Sequence, residues 1–293
     1  MATPVFPWRS MLFVPVTNPR FVHSAKKPNQ ADAIQLDLED SVALSDKQLA
    51  REQVCTLAED FQSLGKDVIV RINRPWRHLV RDLEACCWPS IKALTLPKVP
   101  NAGFVQAVAE VLDELELERN MPAGHMRLIL MIEDAQALLD IEAIAKSHPR
   151  VIGLIVGAED LAVSMQMQVT SDSLYLPNML ALAACRAAGI APIGFIGSVA
   201  DYADQEAYKQ TVERAAALGF AGAFCIHPSQ IEPANQAYSP APAALARARA
   251  LLEQDQQARA QGLMTFSFEG RMVDAPVVSQ AQQLVQRAQH WGL

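Results

Sequence analysis

The sequence is short of four things: aromatic residues, at 6%, positive charge, paired cysteine spacings and long apolar runs. The last three shortages each remove a class of function. With 25 Lys and Arg against 32 Asp and Glu the net charge is −7, and no basic cluster stands out, so a nucleic-acid partner is excluded for want of a surface to neutralise phosphates. No stretch approaches the roughly 20 apolar residues of a spanning helix, and the opening MATPVFPWRS lacks the basic and apolar regions of a secretory signal. The expectation is a cytoplasmic chain with no membrane partner. Five cysteines, with Cys86 and Cys87 adjacent, form neither a CxxC metal spacing nor an even disulfide framework, and read as reduced, structural thiols.

What is present is apolar content of 51%, spread through the chain rather than blocked, which is the composition of a globular α/β enzyme. Eight short apolar runs recur at 11–15, 33–38, 68–72, 93–96, 127–132, 151–156, 190–195 and 221–226, each followed by a helical pattern. Near-continuous Val, Ile and Leu runs of this length suit strands buried on both faces of a parallel sheet, and eight of them suggest a closed (β/α)8 TIM barrel over residues 1–238. An open doubly wound sheet is the alternative. Between the runs, Ser45 opens a helix whose apolar stripe is Ala50, Val54, Leu57, Phe61 and Leu64, ended by Gly65, and Gly219 closes the helix that follows Tyr208. Residues 239–293 then read as a helix rich in Ala and Arg, an extended pair turning at Glu269 and Gly270, and a last helix. This C-terminal helical extension is more than a barrel requires, and is expected to pack on a neighbouring subunit of a homo-oligomer.

Chemistry in such a barrel belongs at the carboxyl ends of the strands. There the runs turn polar: Asp37, Glu39 and Asp40 after the second, Arg71 and Asn73 after the third, Lys98 after the fourth, Glu133 and Asp134 after the fifth, Glu159 and Asp160 after the sixth, His227 after the eighth. Carboxylates from the fifth and sixth strands lie about 5 Å apart at the backbone, so Glu133 and Asp160 can converge on one cation. Oxygen ligands alone select a hard metal, and magnesium is content with one or two carboxylates plus waters and substrate oxygens. The competing readings are an N-cap for Asp160 and a solvated loop acid for Glu133. Arg71 either stabilises an enolate oxygen or forms a structural salt bridge to Glu39 or Asp40. His227 reads equally as a catalytic group and as a rim histidine held by its own loop.

The strings RSMLFVPVTNPRF, ADAIQLDLEDSV, VRIN, LPKV, GAEDLA, LGFAGAFCIHPSQIEPANQAY and EGRMVDAP, running from Arg9 to Asp274, together resemble the citrate lyase beta-subunit-like enzymes of the HpcH/HpaI aldolase family, which include malyl-CoA and citramalyl-CoA lyases. The resemblance implies a barrel of the phosphoenolpyruvate/pyruvate type, assembled as a homotrimer or a multiple of trimers. It implies magnesium, with manganese as a substitute, on Glu133 and Asp160, and an enolate-stabilising Arg71. It makes Glu39 and Asp40 the acids that order metal-bound water, and Asp274 an acid contributed to a neighbour's site, although by sequence alone Asp274 is a helix N-cap. Coenzyme A, as part of the substrate, would meet Arg20 and Lys26 near the first loop. Two departures stand out: Val16 replaces the glycine of the family's VPG loop, and MIEDAQ replaces an IET-like string. Both bear on substrate contacts rather than on the metal pair.

The reaction so implied is retro-Claisen cleavage of a 3-hydroxyacyl-CoA, with (S)-citramalyl-CoA giving pyruvate and acetyl-CoA as the preferred case. Malyl-CoA, a citryl thioester as in the citrate lyase beta subunit, and a thioesterase or malate synthase-like reaction at the same site are the alternatives.

Overall fold

The computed structural model describes residues 5–200 and 203–293. The eight apolar runs become eight parallel strands: β1 Ser10–Pro15, β2 Ala33–Asp37, β3 Asp67–Arg71, β4 Ala93–Leu96, β5 Arg127–Ile132, β6 Val151–Val156, β7 Ala191–Ile193 and β8 Ala223–Cys225. They pair in the order β7-β6-β5-β4-β3-β2-β1-β8. Two further backbone hydrogen bonds, Ala221 N–H to Pro192 O at 2.9 Å and Gly194 N–H to Gly222 O at 2.8 Å, join β7 to the entry of β8. The sheet therefore runs right round, as a (β/α)8 barrel and not as an open doubly wound sheet. β7 and β8 are shorter than their apolar runs. Pro192 has no N–H to give to a ladder, and Gly194 turns out of the strand at φ 116°.

Among the described residues twelve helices accompany the strands: α1 Pro19–Lys26, α2 Lys47–Ser63, α3 Trp76–Cys86, α4 Ala102–Glu118, α5 Ala135–Leu139, α6 Ile141–Ala145, α7 Ala158–Met165, α8 Ser171–Ala188, α9 Gln205–Leu218, α10 Ile231–Tyr238, α11 Pro242–Ala260 and α12 Ala275–His290. In α2 the start and end differ from the sequence reading. A 3-10 turn occupies Leu44–Asp46, and Leu64 is an exposed C-cap, while the buried stripe runs through Lys47, Ala50, Arg51, Val54, Ala58 and Phe61. Two charged residues share that stripe because both find buried partners, described below. Gly219 closes α9 in the left-handed region, as expected.

Alternation along the strands decides what fills the barrel. Met11 and Phe13, Ala33, Ile69, Ala93, Ile129 and Met131, Ile155, Ala191 and Ile193, and Phe224 form one cluster with Phe6 and Trp8. Trp8 donates from its indole to Asp67 Oδ2 at 2.8 Å and packs edge-on against Phe6. Higher in the interior, Thr95 Oγ1 donates to Gln35 Oε1 at 3.2 Å. The parity that buries these residues carries Asp37, Arg71 and Glu133 inward at the carboxyl end.

The described residues divide into two compact units, Phe6–Asn235 and Gln236–Leu293 together with Val5. Within the second, α11 and α12 enclose an apolar core of Ala248, Leu251, Val273, Val278 and Ala281. A hairpin, β9 Phe266–Phe268 and β10 Arg271–Val273, turns at Glu269 and Gly270, which take φ 52° and 75° as a two-residue hairpin turn requires. All five cysteines are free thiols. Burial pushes the Cys87 thiol up to about 11, and those of Cys185 and Cys225 up to about 12. Among the described residues no helix is long and apolar enough to cross a membrane.

Closure of the barrel leaves no room at Gly222, where an added Cβ would stand 2.2 Å from the Trp8 carbonyl oxygen. Gly222→Ala should destabilise the protein by about 2–3 kcal/mol, the usual scale of an overpacked interior. At roughly 2–4 °C per kcal/mol for a unit of this size the melting temperature should fall by about 5–10 °C, readable by calorimetry.

Candidate active site

The site starts from a register pair. Asp37 ends β2 opposite Arg71 at the end of β3, both turned inward. Arg71 Nε donates to Asp37 Oδ1 at 2.7 Å and Nη2 to Oδ2 at 2.8 Å, a bidentate pair in which Asp37 is 2% exposed. Burial alone would raise the Asp37 carboxyl, but the hydrogen bonds and charge of Arg71 outweigh it and hold that carboxyl below its ordinary value. The guanidinium also lies over the Phe13 ring at 4.9 Å. Its third nitrogen, Nη1, reaches Glu39 Oε2 at 2.9 Å and Asp40 Oδ2 at 3.7 Å.

The loop carrying Glu39 and Asp40 is fixed from below. Asp37 accepts the amides of Glu39 and Ser41 at 3.0 and 3.3 Å. Lys47 Nζ donates to the carbonyls of Leu38 and Glu39 at 2.7 and 2.6 Å, and Asn73 Nδ2 donates to Leu38 O at 2.9 Å. Asn73 leans in turn on Asp82, whose other oxygen takes Arg51 Nε at 2.6 Å. Here lie the partners that let Lys47 and Arg51 sit on the buried stripe of α2. Glu39 is buried with its carboxyl raised by burial, an effect that Arg71 and Lys98 reduce. Asp40 is exposed.

Glu133 follows β5 and is buried, not a solvated loop acid. Its Oε2 accepts the backbone N–H of Lys98 at 2.5 Å, which leaves Oε1 available. The carboxyl rests over Gly157, where a Cβ would come within 2.5 Å of Glu133 Cγ and Oε1. That cradle explains the glycine of GAED. Asp160 sits in the first turn of α7, whose N-cap is Gly157 without a side-chain cap bond, so Asp160 does not cap the helix. Its half-buried carboxyl lines the same cavity as Glu133. Burial pushes Glu133 up to about 7, with Glu39 and Asp160 adding to the rise and the Lys98 amide opposing it. The neighbouring Glu159 takes a hydrogen bond from Ser198 Oγ at 2.5 Å.

The cavity is about 410 Å³. Asp37, Asp40, Arg71, Glu133 and Asp160 line it together with the apolar side chains of Phe13, Met131, Ile155, Phe195, Phe224 and Ile226. The donor set fits a hard divalent ion: two carboxylates from adjacent strands, one of them buried over a glycine with an oxygen to spare. Among the described residues no three His, Cys, Asp or Glu side chains gather closely enough to hold a cation by themselves. Waters or substrate oxygens must therefore complete the coordination.

The remaining residues singled out in the sequence fall elsewhere. Arg20 lies exposed on α1, next to Phe21, which lines the cavity. Lys26, at the far end of α1, is paired with Asp60 Oδ2 at 2.6 Å, so its ammonium is engaged away from the mouth. His227 Nδ1 pairs with Ser229 Oγ at 2.7 Å in the turn after β8. Asp274 caps α12, accepting the Val277 amide at 3.4 Å, and belongs to the C-terminal unit. Two residues at the centre of the site were not assigned roles from the sequence. Asp37 could have been found by parity, since it shares the inward alternation of Ala33 and Gln35. Lys98 carried no such signal, because its position depends on a left-handed backbone at φ 50°.

With this geometry in view, comparison with known proteins is direct. The sequence pattern of the HpcH/HpaI aldolase/citrate lyase family matches residues 9–228. The L-malyl-CoA/beta-methylmalyl-CoA lyase of Rhodobacter capsulatus is 32% identical over 304 residues, covering 96% of this chain and 94% of that protein. The (3S)-malyl-CoA thioesterase of Cereibacter sphaeroides is 31% identical over 294 residues, covering 99% and 97%. Among solved structures, protein CitE from Mycobacterium tuberculosis in complex with magnesium, acetoacetate and coenzyme A superposes with a TM-score of 0.73 at 30% identity, covering 96% of this chain and 97% of that one.

Two outcomes follow from Glu133. Below pH 7 a metal ion must displace its proton, so the apparent dissociation constant for magnesium, measured by titration calorimetry, should rise about tenfold per pH unit from about 7 downward. Gly157→Ala should push the carboxylate off its seat and weaken magnesium binding by about 10–100-fold, the range seen when support of a metal ligand is lost. Because the clash falls on a side-chain end, the melting temperature should move little.

Proposed function

The chain belongs to the HpcH/HpaI aldolase/citrate lyase family, and on that premise we propose that it is a magnesium-dependent carbon–carbon lyase that cleaves (S)-citramalyl-CoA to pyruvate and acetyl-CoA. The observation that carries the reading is the pairing of Glu133 and Asp160 beside an arginine that has one nitrogen not bound to Asp37, in a cavity otherwise lined by apolar side chains. Glu133 and Asp160 would hold magnesium, or manganese in its place. When bound, the ion supplies Lewis-acid polarisation of the substrate's carboxylate and hydroxyl oxygens.

In retro-Claisen cleavage the 3-hydroxyl loses its proton, the C2–C3 bond breaks, and its electron pair passes into the thioester as an enolate, leaving a keto acid. Asp40, which lines the cavity, and Glu39, buried behind it against Arg71 and Lys98, take up the hydroxyl proton through an ordered water where they do not touch it. Arg71 gives one Nη1 N–H to Glu39 and offers the second to the enolate oxygen. Its other two donors are pinned to Asp37, so the guanidinium needs no reorientation as charge develops. Asp274 returns a proton to the enolate carbon from a neighbouring subunit, in a cytoplasmic homotrimer or multiple of trimers onto which residues 239–293 pack. Arg20, exposed beside Phe21, meets the coenzyme A phosphates, and Lys26 joins it only by leaving Asp60.

Met131, Ile155 and Phe224 support the choice of a methyl-bearing keto acid. The preference is bounded, since one methyl in an apolar pocket separates pyruvate from glyoxylate by only about 1–3 kcal/mol. Malyl-CoA is accordingly the next substrate. A citryl thioester would bring a second carboxylate against these apolar side chains. The thioesterase among the relatives favours hydrolysis as a second reading of the same site.

Purified protein given citramalyl-CoA, malyl-CoA and citryl-CoA, with and without magnesium, should release keto acid only with the metal, and fastest from citramalyl-CoA. Absence of metal-dependent cleavage from all three would sink the lyase reading, and free hydroxy acid with coenzyme A in place of keto acid would establish hydrolysis. Glu133→Gln and Asp160→Asn should bring cleavage to background without loss of fold. Asp274→Asn should slow it by about 10²–10⁴-fold, the usual worth of a positioned acid. Mixing the Glu133→Gln and Asp274→Asn proteins should restore activity if Asp274 serves its neighbour.

A further inference from the structure

Lys98 has no part in the cleavage steps, yet every polar group it owns is committed at the mouth. Its backbone N–H donates to Glu133 Oε2 at 2.5 Å, and its carbonyl accepts Arg74 Nε at 3.3 Å. Its ammonium stands 2.9 Å from Glu39 Oε1, 3.6 Å from Asp40 Oδ1 and 3.8 Å from Asp160 Oδ2. The backbone reaches this placement only at φ 50°, a left-handed conformation that side chains other than glycine rarely hold without compensation. The strain turns the amide to one metal-site carboxylate and the ammonium to the other.

A magnesium ion bound to Asp160 would lie about 2 Å from the carboxylate oxygen. The ammonium is 3.8 Å from an oxygen of the same group. A doubly charged ion and an ammonium at such spacing repel strongly even when screened by solvent, so they do not share Asp160. The ammonium has a second place to go, because Glu39 is nearer and buried.

We propose that the Lys98 ammonium is the resident cation of the metal site. It stands against Asp160, Asp40 and Glu39 and offsets part of their charge while the ion is absent, and it withdraws from Asp160 and Asp40 onto Glu39 when the ion enters. The inference rests on the magnesium reading above. It makes the metal-free mouth a stable state and makes ion binding an exchange of one cation for another. Affinity is weaker than the carboxylates alone would give, and the ion remains exchangeable.

The test uses full-length protein and two variants, Lys98→Met and Lys98→Arg. Both keep a Cβ, so the backbone strain and the amide bond to Glu133 are unchanged. Calorimetric titration with magnesium chloride should show Lys98→Met binding the ion at least about tenfold tighter than the unaltered protein, as removal of a nearby like charge dictates. Melting temperatures with and without magnesium should show a larger magnesium-induced rise for Lys98→Met, because the loss of the cation at Glu39 is common to both states while the loss at Asp160 and Asp40 falls on the metal-free form alone. Lys98→Arg should keep the unaltered affinity to within a few fold. A Lys98→Met protein that folds only in magnesium would be the same result in extreme form. Magnesium affinity that is unchanged or weaker in Lys98→Met, with equal losses of melting temperature in both conditions, would overturn the proposal while leaving the magnesium reading intact. Failure of the unaltered protein to bind magnesium would bring down both.

Discussion

The mouth of this barrel depends on one buried ion pair. Five carboxyl groups, from Asp37, Glu39, Asp40, Glu133 and Asp160, meet two cationic side chains, Arg71 and Lys98, and without the cations such a gathering would repel itself apart. The Asp37–Arg71 pair comes first because it is made by register between adjacent strands and leaves one arginine nitrogen to Glu39. Glu39 then holds Lys98, and Lys98 holds Glu133 through its amide. Removing one partner from a buried pair of this kind typically costs about 3–5 kcal/mol, and here the acids stacked upon it would be displaced as well.

Environment, not residue type, separates the work of these carboxyls. Asp37 is held below its ordinary value by a bidentate arginine, so it remains an anion and can only position. Glu133, also buried but given a single amide donor, rises to about 7. The same contrast accounts for what is tied down and what is available: the loop of Glu39 and Asp40 is fastened by Lys47 and Asn73 from beneath, the Glu39 carboxyl is held by Arg71 and Lys98, and the Asp40 carboxyl lines the cavity.

Much of this was legible in the sequence. Runs such as 127–132 and 151–156 end where the strands end, since a strand buried on both faces has no reason to admit a polar residue until it leaves the sheet. That is why Glu133 and Asp160 could be placed side by side. Arg71 was placed correctly at the end of β3, but its main partner is Asp37 rather than the Glu39 or Asp40 expected, because parity sends Asp37 to the same face. Lys98 was noted after the fourth run but given no role, because nothing local marks a lysine for a left-handed backbone. Lys26 was read as a phosphate contact from its place near the first loop, and its pairing with Asp60 on α2 is a contact that the local sequence does not display. The seat of Glu133 on Gly157 is a contact between two strand ends that no single string of residues displays.

The short strands β7 and β8 are the weak seam of the barrel. The charged lining residues stand on or just after β2, β3, β5 and β6, each laddered to both neighbours, with one register shift, between Leu128 and Ile129, where β5 meets β6. Of the apolar lining, Phe13, Met131 and Ile155 share that firm ground, while Phe195, Phe224 and Ile226 come from β8 and the ends of β7 and β8, staves of three residues each that meet through two hydrogen bonds beside a glycine turn. Local opening follows the sparsest bonding. The seam is thus the gasket of the mouth, and the strands that carry the charges are its electrode. Under the acyl-CoA reading, a change in the shape of the acyl group would be taken up at the seam before it disturbed the spacing of the charges.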